Sequence, residues 1–567
     1  MDNFFTGNAD IQWHFNHLGL QELVASLEDD YKQGGQFNDA PLSYEDAIEG
    51  YRTVLDMAGA ITATEIAPLA PEVDREGAHF DHGNVTYAQG TTRAMNTLAQ
   101  AGLMGVMLPR QFGGLNFPGV IYSMAIEMVA QADASLMNIF SLQDIAETIF
   151  EFGSDAQKKN YLPKFASGEI TGAMILTEPD AGSDLQAVRL KAVQDEAGVW
   201  RLYGVKRFIT NGCADVSLVL ARSEEGSVDG RGLSMYICEK GHEVVVRRIE
   251  NKLGIHGSPT CELQFNGAPA ELVGQRRLGL IRYVMALMNG ARVAVAGQAI
   301  GIAQAAYEEA KRYAQKRVQF KRPIIEMPQV YDMLARMKAS IQVARAITYE
   351  SSLLVDVRRM LEHKAEHSDD PALRARLKEV STYASILTPI AKAYSSEMAI
   401  QVTYDAIQIH GGAGYMREFN VERLSRDARI TTIYEGTTQL QVIGAAVGIT
   451  SGMFGNYLSQ LGERQFRPEL MKLSSMARES REKVAQCVAF LKTQNDRTYG
   501  DLIVRRLVDM SSDCLGVHLL LLQAERDAAR EPLAEKFIRD AMPRIRMQAE
   551  YITSGDRTVI DRREALL

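Results

Sequence analysis

One carboxylate, Glu435, stands between Tyr434 and Gly436 in the stretch RDARITTIYEGTTQLQVIG, residues 426–444. A Glu-Gly step followed by two threonines reads as a turn feeding a helix N-terminus, with Thr437 or Thr438 as the cap. A carboxylate so placed projects off the end of a helix instead of along its solvated side. That suits a general base, although most loop glutamates are simply solvated and the case needs support from elsewhere in the chain.

Two other stretches carry groups able to hold a ligand. MILTEPDAGSD, residues 174–184, is a strand running into a turn whose Gly182 and Ser183 offer backbone and hydroxyl donors to a phosphate. RFITNG, residues 207–212, ends a strand with Phe208 and Thr210 on one face, an aromatic ring beside a hydroxyl. A third stretch, HKAEH at His363 to His367, matches the H-x-x-E-H spacing of some zinc enzymes. It lies in a charged connector ending at SDDP and reads as a solvated helix end, so no metal site is expected. There is no GxGxxG between strand and helix, no GxxxxGK[ST], no GxSxG and no CxxC pair. A nucleotide, if bound, is therefore not held by a Rossmann unit.

These groups need elements to position them. Residues 41–66 place Ile48, Tyr51, Val54, Leu55, Ala58 and Ile61 on one helix face, and Ser43 with Asp46 resembles a capping box. Helical pattern continues, broken by LPRQFGGLNFPG, through residues 118–150. From about residue 171 short β-rich runs alternate with turn signals, which predicts several antiparallel strands forming a small barrel or sandwich. Helical pattern returns from about residue 281, rich in Ala and Gly on one side, as closely approaching helices require. RRMLEHKAEHSDDPALRARLKEV reads as a charged bridge between two helices. Beyond residue 450, Leu470, Leu473, Val484, Val488 and Leu491, then Ile503, Leu507, Met510 and Leu515, form apolar stripes of further helices. YSMAIEMV and YVMALMN read as core filling before pocket lining.

The chain's 567 residues exceed what one core can use, and 46% hydrophobic with 23% charged residues is ordinary globular composition. Its longest apolar run, CLGVHLLLLQA, is shorter than a membrane span and reads as a buried helix. A net charge of −9 argues against a nucleic-acid surface. The five cysteines, without paired spacing, read as reduced core residues, and a start lacking signal or transit character gives a cytoplasmic expectation.

The three stretches quoted first, with ARVAVAGQAIGIAQAAYEEAKRYAQKRVQF and AIQIHGGAGYMREFNVERLSRDARITTIYEGTTQ, resemble the acyl-CoA dehydrogenase family of flavoproteins over residues 45–450. The resemblance implies an α+β fold: an N-terminal helical domain (1–170), a central antiparallel β-barrel (171–280), and a C-terminal four-helix bundle (281–450). Additional C-terminal helices (451–567) would follow. It implies FAD as cofactor and Glu435 as the base that takes the pro-R α-proton of an acyl-CoA, the β-hydrogen leaving as hydride to the flavin. The product would be a trans-2-enoyl-CoA, and the electron acceptor an electron-transfer flavoprotein. Some relatives carry the base on the helix that here reads LMNGARVAVAG, but Asn289, Gly290 and Ala291 supply no carboxylate.

By the same resemblance Thr177, Gly182, Ser183, Phe208 and Thr210 contact the flavin side of FAD. Arg317, Phe320, Gln408, Gly412, Thr437 and Gln439 would grip its adenosine and pyrophosphate, some across a subunit interface. Ser183, Arg292, Tyr434, Glu435 and Gly436 would meet the substrate. Departures occur after RVQF, where Lys321 replaces a usual glycine and Pro328 intrudes. The long tail resembles larger members whose added helices cover a face that smaller members bury in a tetramer, which implies a homodimer. An oxygen-using acyl-CoA oxidase and a non-redox CoA-binding or lyase relative are the competing readings, the second disfavoured by the intact Glu435.

Overall fold

The computed structural model describes residues 2–494 and 496–567. The chain forms two compact units, residues 1–302 and 303–567.

The first unit opens with α1 (Ala9–His17), α2 (Gln21–Leu27), α3 (Tyr44–Ile61) and α4 (Ala70–Glu76). A hairpin of β1 (His79–Asp81) and β2 (Asn84–Thr86) precedes α5 (Gln89–Gln100), α6 (Gly119–Ala132), α7 (Ala134–Ser141), α8 (Ile145–Phe152) and α9 (Asp155–Ser167). Of the face expected for α3, Tyr51, Leu55 and Ala58 are buried, with Ala47 and Gly59 beside them, while Ile48, Val54 and Ile61 are half-buried at its margin. Its cap is split: Ser43 Oγ accepts from Asp46 N–H, while the Asp46 carboxylate accepts from Leu42 N–H. α6 is buried on every side, Met124 and Met128 included, so these methionines fill core.

Seven strands follow: β3 (Gly172–Ile175), β4 (Lys191–Gln194), β5 (Trp200–Thr210), β6 (Val216–Arg222), β7 (Leu233–Glu239), β8 (Val244–Ile249) and β9 (Thr260–Leu272). β6, β4, β5, β9 and β7 close into a barrel through the β6–β7 pairing, with β3 on β6 and β8 on β9. The barrel is mixed and not wholly antiparallel as expected, because β3 pairs with β6 in parallel and β4 touches it in parallel at Lys191 and Arg222. A parallel pair needs a long crossover, and the 176–215 excursion supplies it. Strand β6 explains its unbroken apolar reading: Leu218 and Leu220 pack with α8 and α9, while Val219 and Ala221 face the barrel interior with Tyr236 and Phe265.

α10 (Met285–Lys316) crosses the division between the units. Within the first unit its small residues allow the expected close approach: a Cβ on Gly297 would stand 3.1 Å from Ile126 Cγ2, and one on Gly301 2.7 Å from Gln131 N. Gln298 Nε2, fully buried, donates to Ala134 O and Asn138 Oδ1, both at 2.9 Å.

The second unit contains the hairpin β10 (Val318–Gln319) and β11 (Arg322–Pro323), then α11 (Pro328–Glu366), α12 (Pro371–His410), α13 (Asn420–Ala428) and α14 (Thr438–Thr450). α15 (Met453–Gly462), α16 (Met471–Gln494), α17 (Arg497–Arg526), α18 (Glu531–Ser554), α19 (Thr558–Asp561) and α20 (Arg563–Leu566) complete it. The expected charged bridge is helix on both sides: α11 and α12 run into it and leave only residues 367–370 as connector. Pro328 does not disturb α11, because it sits in the first turn where no N–H is needed. His363 and His367 lie exposed at the α11 terminus, and no metal-holding cluster occurs among the described residues.

Buried hydroxyl pairs, Ser351 with Thr388 and Thr348 with Ser395, let α11 and α12 lie close. Polar bonds tie the extension to α11, where Lys536 reaches Asp332 at 2.8 Å and Tyr457 donates to Glu350, and Arg544 joins α18 to α17 within it by gripping Asp513 through two 2.9 Å bonds. The apolar run expected to be buried belongs to α17, a 30-residue helix long and apolar enough by composition to cross a membrane, yet nearly all of that stretch is buried within the protein. All five cysteines are free, four buried and Cys213 half-buried.

Candidate active site

The residues proposed for chemistry fall in both units, and each half has its own construction. In the first unit, β5 bends at a bulge where Arg207 and Phe208 oppose the single residue Glu262 of β9. Phe208 takes a left-handed conformation (φ +61°), which turns its ring outward, half-exposed, against the Arg207 guanidinium at 4.6 Å. Thr210 shares this outer side, while Ile209 between them is buried. Behind Thr210, Asn211 is fully buried at φ +54°; its side chain accepts from Tyr87 Oη at 2.5 Å and donates to Gly172 O at 2.9 Å.

The turn after β3 lies against the same bulge. Arg207 N–H donates to Thr177 O at 3.0 Å, and Glu178 and Ala181 exchange two backbone bonds around Pro179 and Asp180. Gly182 and Ser183 follow on the exposed side, and a Cβ on Gly182 would meet only Thr177 Cγ2, at 3.7 Å. Thr177, Phe208 and Thr210 are thus brought together with an uncovered glycine turn. Hydroxyls, an outward aromatic face and open backbone suit a polar heteroaromatic ring system joined to phosphate. Arg292 and the 289–291 turn lie on α10, half-buried.

In the second unit the Glu435 turn is held from behind. Thr437 is the cap of α14, its Oγ1 accepting from Leu440 N–H, so of the two candidate threonines it is Thr437 that caps. Glu435 and Gly436 both adopt positive φ, +53° and +82°. Lys392 on α12, fully buried, donates to Gly436 O at 2.7 Å, and buried Gln441 donates to the carbonyls of both Glu435 and Gly436 at 3.1 Å. The φ of Gly436 favours glycine there, and a Cβ would also stand 2.6 Å from Gln441 Nε2, so Gln441 would have to withdraw from its bonds to the turn. Both carbonyls of the turn are therefore pinned into the helices, and the half-buried Glu435 side chain leaves from a fixed point.

A separate cavity of about 690 Å³ lies where α10 ends and α12 stops, lined by Tyr313, Lys316, Arg317, His410, Gly412 and Phe419 among others. The Tyr313 and His410 rings stack at 4.3 Å, and no atom lies within 4 Å of a Cβ placed on Gly411 or Gly412. Two cations, flat rings and bare backbone fit the charge and shape of a nucleotide's phosphoanhydride and base. Arg317 and Gly412 are in this group. Phe320, Gln408 and Gln439 are not among the lining residues; all three are exposed, Phe320 at a hairpin tip where it and Lys321 have φ of +49° and +66°.

Four supporting residues escaped the sequence reading: Lys206, Glu178, Lys392 and Gln441. A signal existed for the lysines. Lys206 falls on the inward register of β5 with Leu202, and Lys392 is a lone cation in the apolar run ILTPIAKAY.

Comparison with known proteins places the chain among flavin-dependent oxidoreductases of acyl thioesters. Models of the acyl-CoA dehydrogenase N-terminal, middle and C-terminal domains match residues 49–169, 173–268 and 281–448, and a further acyl-CoA dehydrogenase C-terminal model matches 450–557. The chain is 36% identical over 420 residues to the 3-methylmercaptopropionyl-CoA dehydrogenase of Ruegeria pomeroyi, covering 70% of this chain and 69% of that one. A structure described as the electron transferring flavoprotein of Acidaminococcus fermentans has a chain matching at TM-score 0.61 and 32% identity, over 70% of this chain and 97% of that one. The acyl-CoA dehydrogenase of Bacillus anthracis, complexed with FAD, shares the fold at TM-score 0.76 and 23% identity, over 90% of this chain and 89% of that one. The chain belongs to the acyl-CoA dehydrogenase family. It is an oxidoreductase of CH–CH bonds with FAD as its cofactor.

Proposed function

We propose that this chain converts an acyl-CoA thioester to the trans-2-enoyl-CoA, with Glu435 as the base that takes the α-proton. The observation that carries the reading is the locked turn at Glu435–Gly436, whose carbonyls are held by Lys392 and Gln441. A thioester α-proton is far too weakly acidic for a carboxylate in water, so the site must desolvate the base and stabilise the developing enolate oxygen. The half-buried Glu435 side chain serves the first need by keeping part of the carboxylate away from water. The turn's fixed backbone serves the second by aiming an amide at the start of α14, where first-turn N–H groups and the helix dipole favour negative charge. FAD, when bound, supplies the acceptor for the β-hydrogen as hydride. Thr177, Ser183, Phe208 and Thr210 hold its flavin end in this reading, and Arg317 and Gly412 its nucleotide end.

The finer parts of the reading rest on family resemblance. α10, α11, α12 and α14 correspond to the four-helix bundle, and an electron-transfer flavoprotein takes the electrons, as likeness to the Acidaminococcus chain supports. A homodimer is supported by the packing of α17 on α11 and α14, which occupies bundle surface that shorter members leave for other subunits.

The test is anaerobic titration of the purified flavoprotein with short, long, dicarboxylic, cyclic and 3-methylmercaptopropionyl thioesters of CoA, beside Glu435→Gln. One thioester class should bleach the flavin band at about 450 nm in the wild type. The variant should bleach at least ~10³-fold more slowly, the scale of a lost general base. Equal bleaching by the variant would remove Glu435 from the role.

A further inference from the structure

We infer that the buried Lys206–Glu178 pair is a positioning device that sets the FAD-contacting face of the barrel, by locking the Thr177 turn to the strand end bearing Phe208 and Thr210. Lys206 is fully buried on β5. Its Nζ donates to Leu176 O at 2.7 Å and pairs with Glu178 Oε1 at 3.0 Å. The other demands on Glu178 come from the backbone: its two oxygens accept from Arg189 N–H and Leu190 N–H, both at 2.8 Å. One ammonium and one carboxylate therefore gather three segments: the turn after β3, the middle of β5, and the chain entering β4.

The location separates this pair from a merely structural ion pair. Leu176 and Glu178 flank Thr177, and Lys206 is the last regularly paired residue before the Arg207–Phe208 bulge. The next residue along, Arg207, donates its own N–H to Thr177 O. Residues 176, 177 and 178 are thus each bonded to residue 206 or 207. A shift of residues 176–178 therefore strains bonds to the strand that carries the outward ring of Phe208.

The chemistry of the pair also favours a specifying role. Burying an ammonium is costly, and burial pushes the Lys206 pKa down to about 8 despite its carboxylate partner. A buried ion pair can often be replaced by apolar side chains without loss of stability. Its benefit lies in directionality: an apolar side chain in place of Lys206 would fill the space, but it would leave Leu176 O and the Glu178 carboxylate without the donor that fixes the turn. The consequence falls on FAD affinity and on the environment of the bound flavin.

The experiment measures FAD dissociation from reconstituted apoprotein by flavin fluorescence, with visible circular dichroism of the bound flavin and apoprotein melting temperature. Wild type, Lys206→Met, Lys206→Arg and Glu178→Gln are compared with Ile545→Ala, a core control on α18 in the other compact unit. Lys206→Met should weaken FAD binding at least tenfold and alter the visible dichroism. Lys206→Arg should recover part of both, and Ile545→Ala should lower the melting temperature while leaving FAD affinity within threefold. If Lys206→Met does not fold, Glu178→Gln decides with the same readouts and an expected loss of at least fivefold. FAD affinity unchanged in the folded variants overturns the inference, as does an equal loss in Ile545→Ala. Wild-type protein unable to take up FAD would overturn the cofactor assignment as well, and is told apart by its appearing before any variant is made.

Discussion

At Glu435–Gly436 and at Phe320–Lys321 the chain sets two consecutive residues at positive φ, +53° and +82° in the first pair, +49° and +66° in the second. Left-handed backbone is unfavourable for residues with a Cβ, by roughly 1–2 kcal/mol each. The first turn uses glycine at its second position and is gripped by buried Lys392 and Gln441. The second uses lysine, stands exposed, and is held by backbone pairing: the register Val318–Pro323 and Gln319–Arg322, closed by the Ile324 N–H to Arg317 O bond at 2.9 Å. Ile255, in the loop between β8 and β9, is another case, a buried β-branched residue at φ +50°. Its neighbour His256 bonds Asp74 and Lys252 O, both at 2.9 Å. Strain at the proposed chemical site is locked from the protein interior, whereas strain at the hairpin tip is merely carried.

The comparison breaks most severely at Gly436. Gly436→Ala should reduce the rate of flavin bleaching at least ~10²-fold, the cost of displacing a reacting group by about 1 Å. Rapid-mixing spectroscopy checks this, and an unaltered rate would mean the turn tolerates movement. Lys392→Met removes the clamp but keeps the glycine. It should destabilise the fold by roughly 1.5–3 kcal/mol, the range for a hydrogen bond to a charged group, with a smaller rate loss. Chemical denaturation beside rapid mixing separates the two effects.

At Ile255 the clamp has a pH handle. The side-chain bond to Asp74 raises the His256 pKa from 6.5 to about 9. Its stabilisation is therefore complete below about pH 6.5 and is lost as pH rises through about 9. His256→Gln should flatten the melting temperature across that window. The smallest effect belongs to the unclamped tip: Lys321→Gly should stabilise by about 0.5–1 kcal/mol, because glycine meets no Cβ penalty there. Destabilisation instead would show that Lys321 makes a contact that holds the tip.

The parts legible in the sequence were those written in local chemistry. The break at Glu435–Gly436, a threonine cap, the face of α3 and the switch from helix to strand near residue 171 all follow from neighbours within a few positions. The parallel β3–β6 pairing did not, because both strands read alike whichever way they run and only the long excursion between them decides. The RRMLEHKAEHSDDPALRARLKEV segment read as a bridge because charge was taken for loop, when it is the facing ends of two long helices around the short 367–370 connector. The clamps were least legible. A lysine reaching a carbonyl 44 residues away, as Lys392 does at Gly436, leaves only the oddity of a cation in an apolar run. The same holds for Lys206 and Leu176, 30 residues apart.

Helix α17 has a bearing on how this protein can be made and shortened. Its apolar surface is covered from one side by α11 and α14 and from the other by α16 and α18. During synthesis α17 emerges before α18, so for a time the nascent chain displays a long oily cylinder whose last cover is still inside the ribosome. Truncation after α17 would make that moment permanent. The helices that follow residue 450 are therefore a module to be kept or removed as a whole, because a cut between α17 and α18 exposes the apolar face that α18 covers.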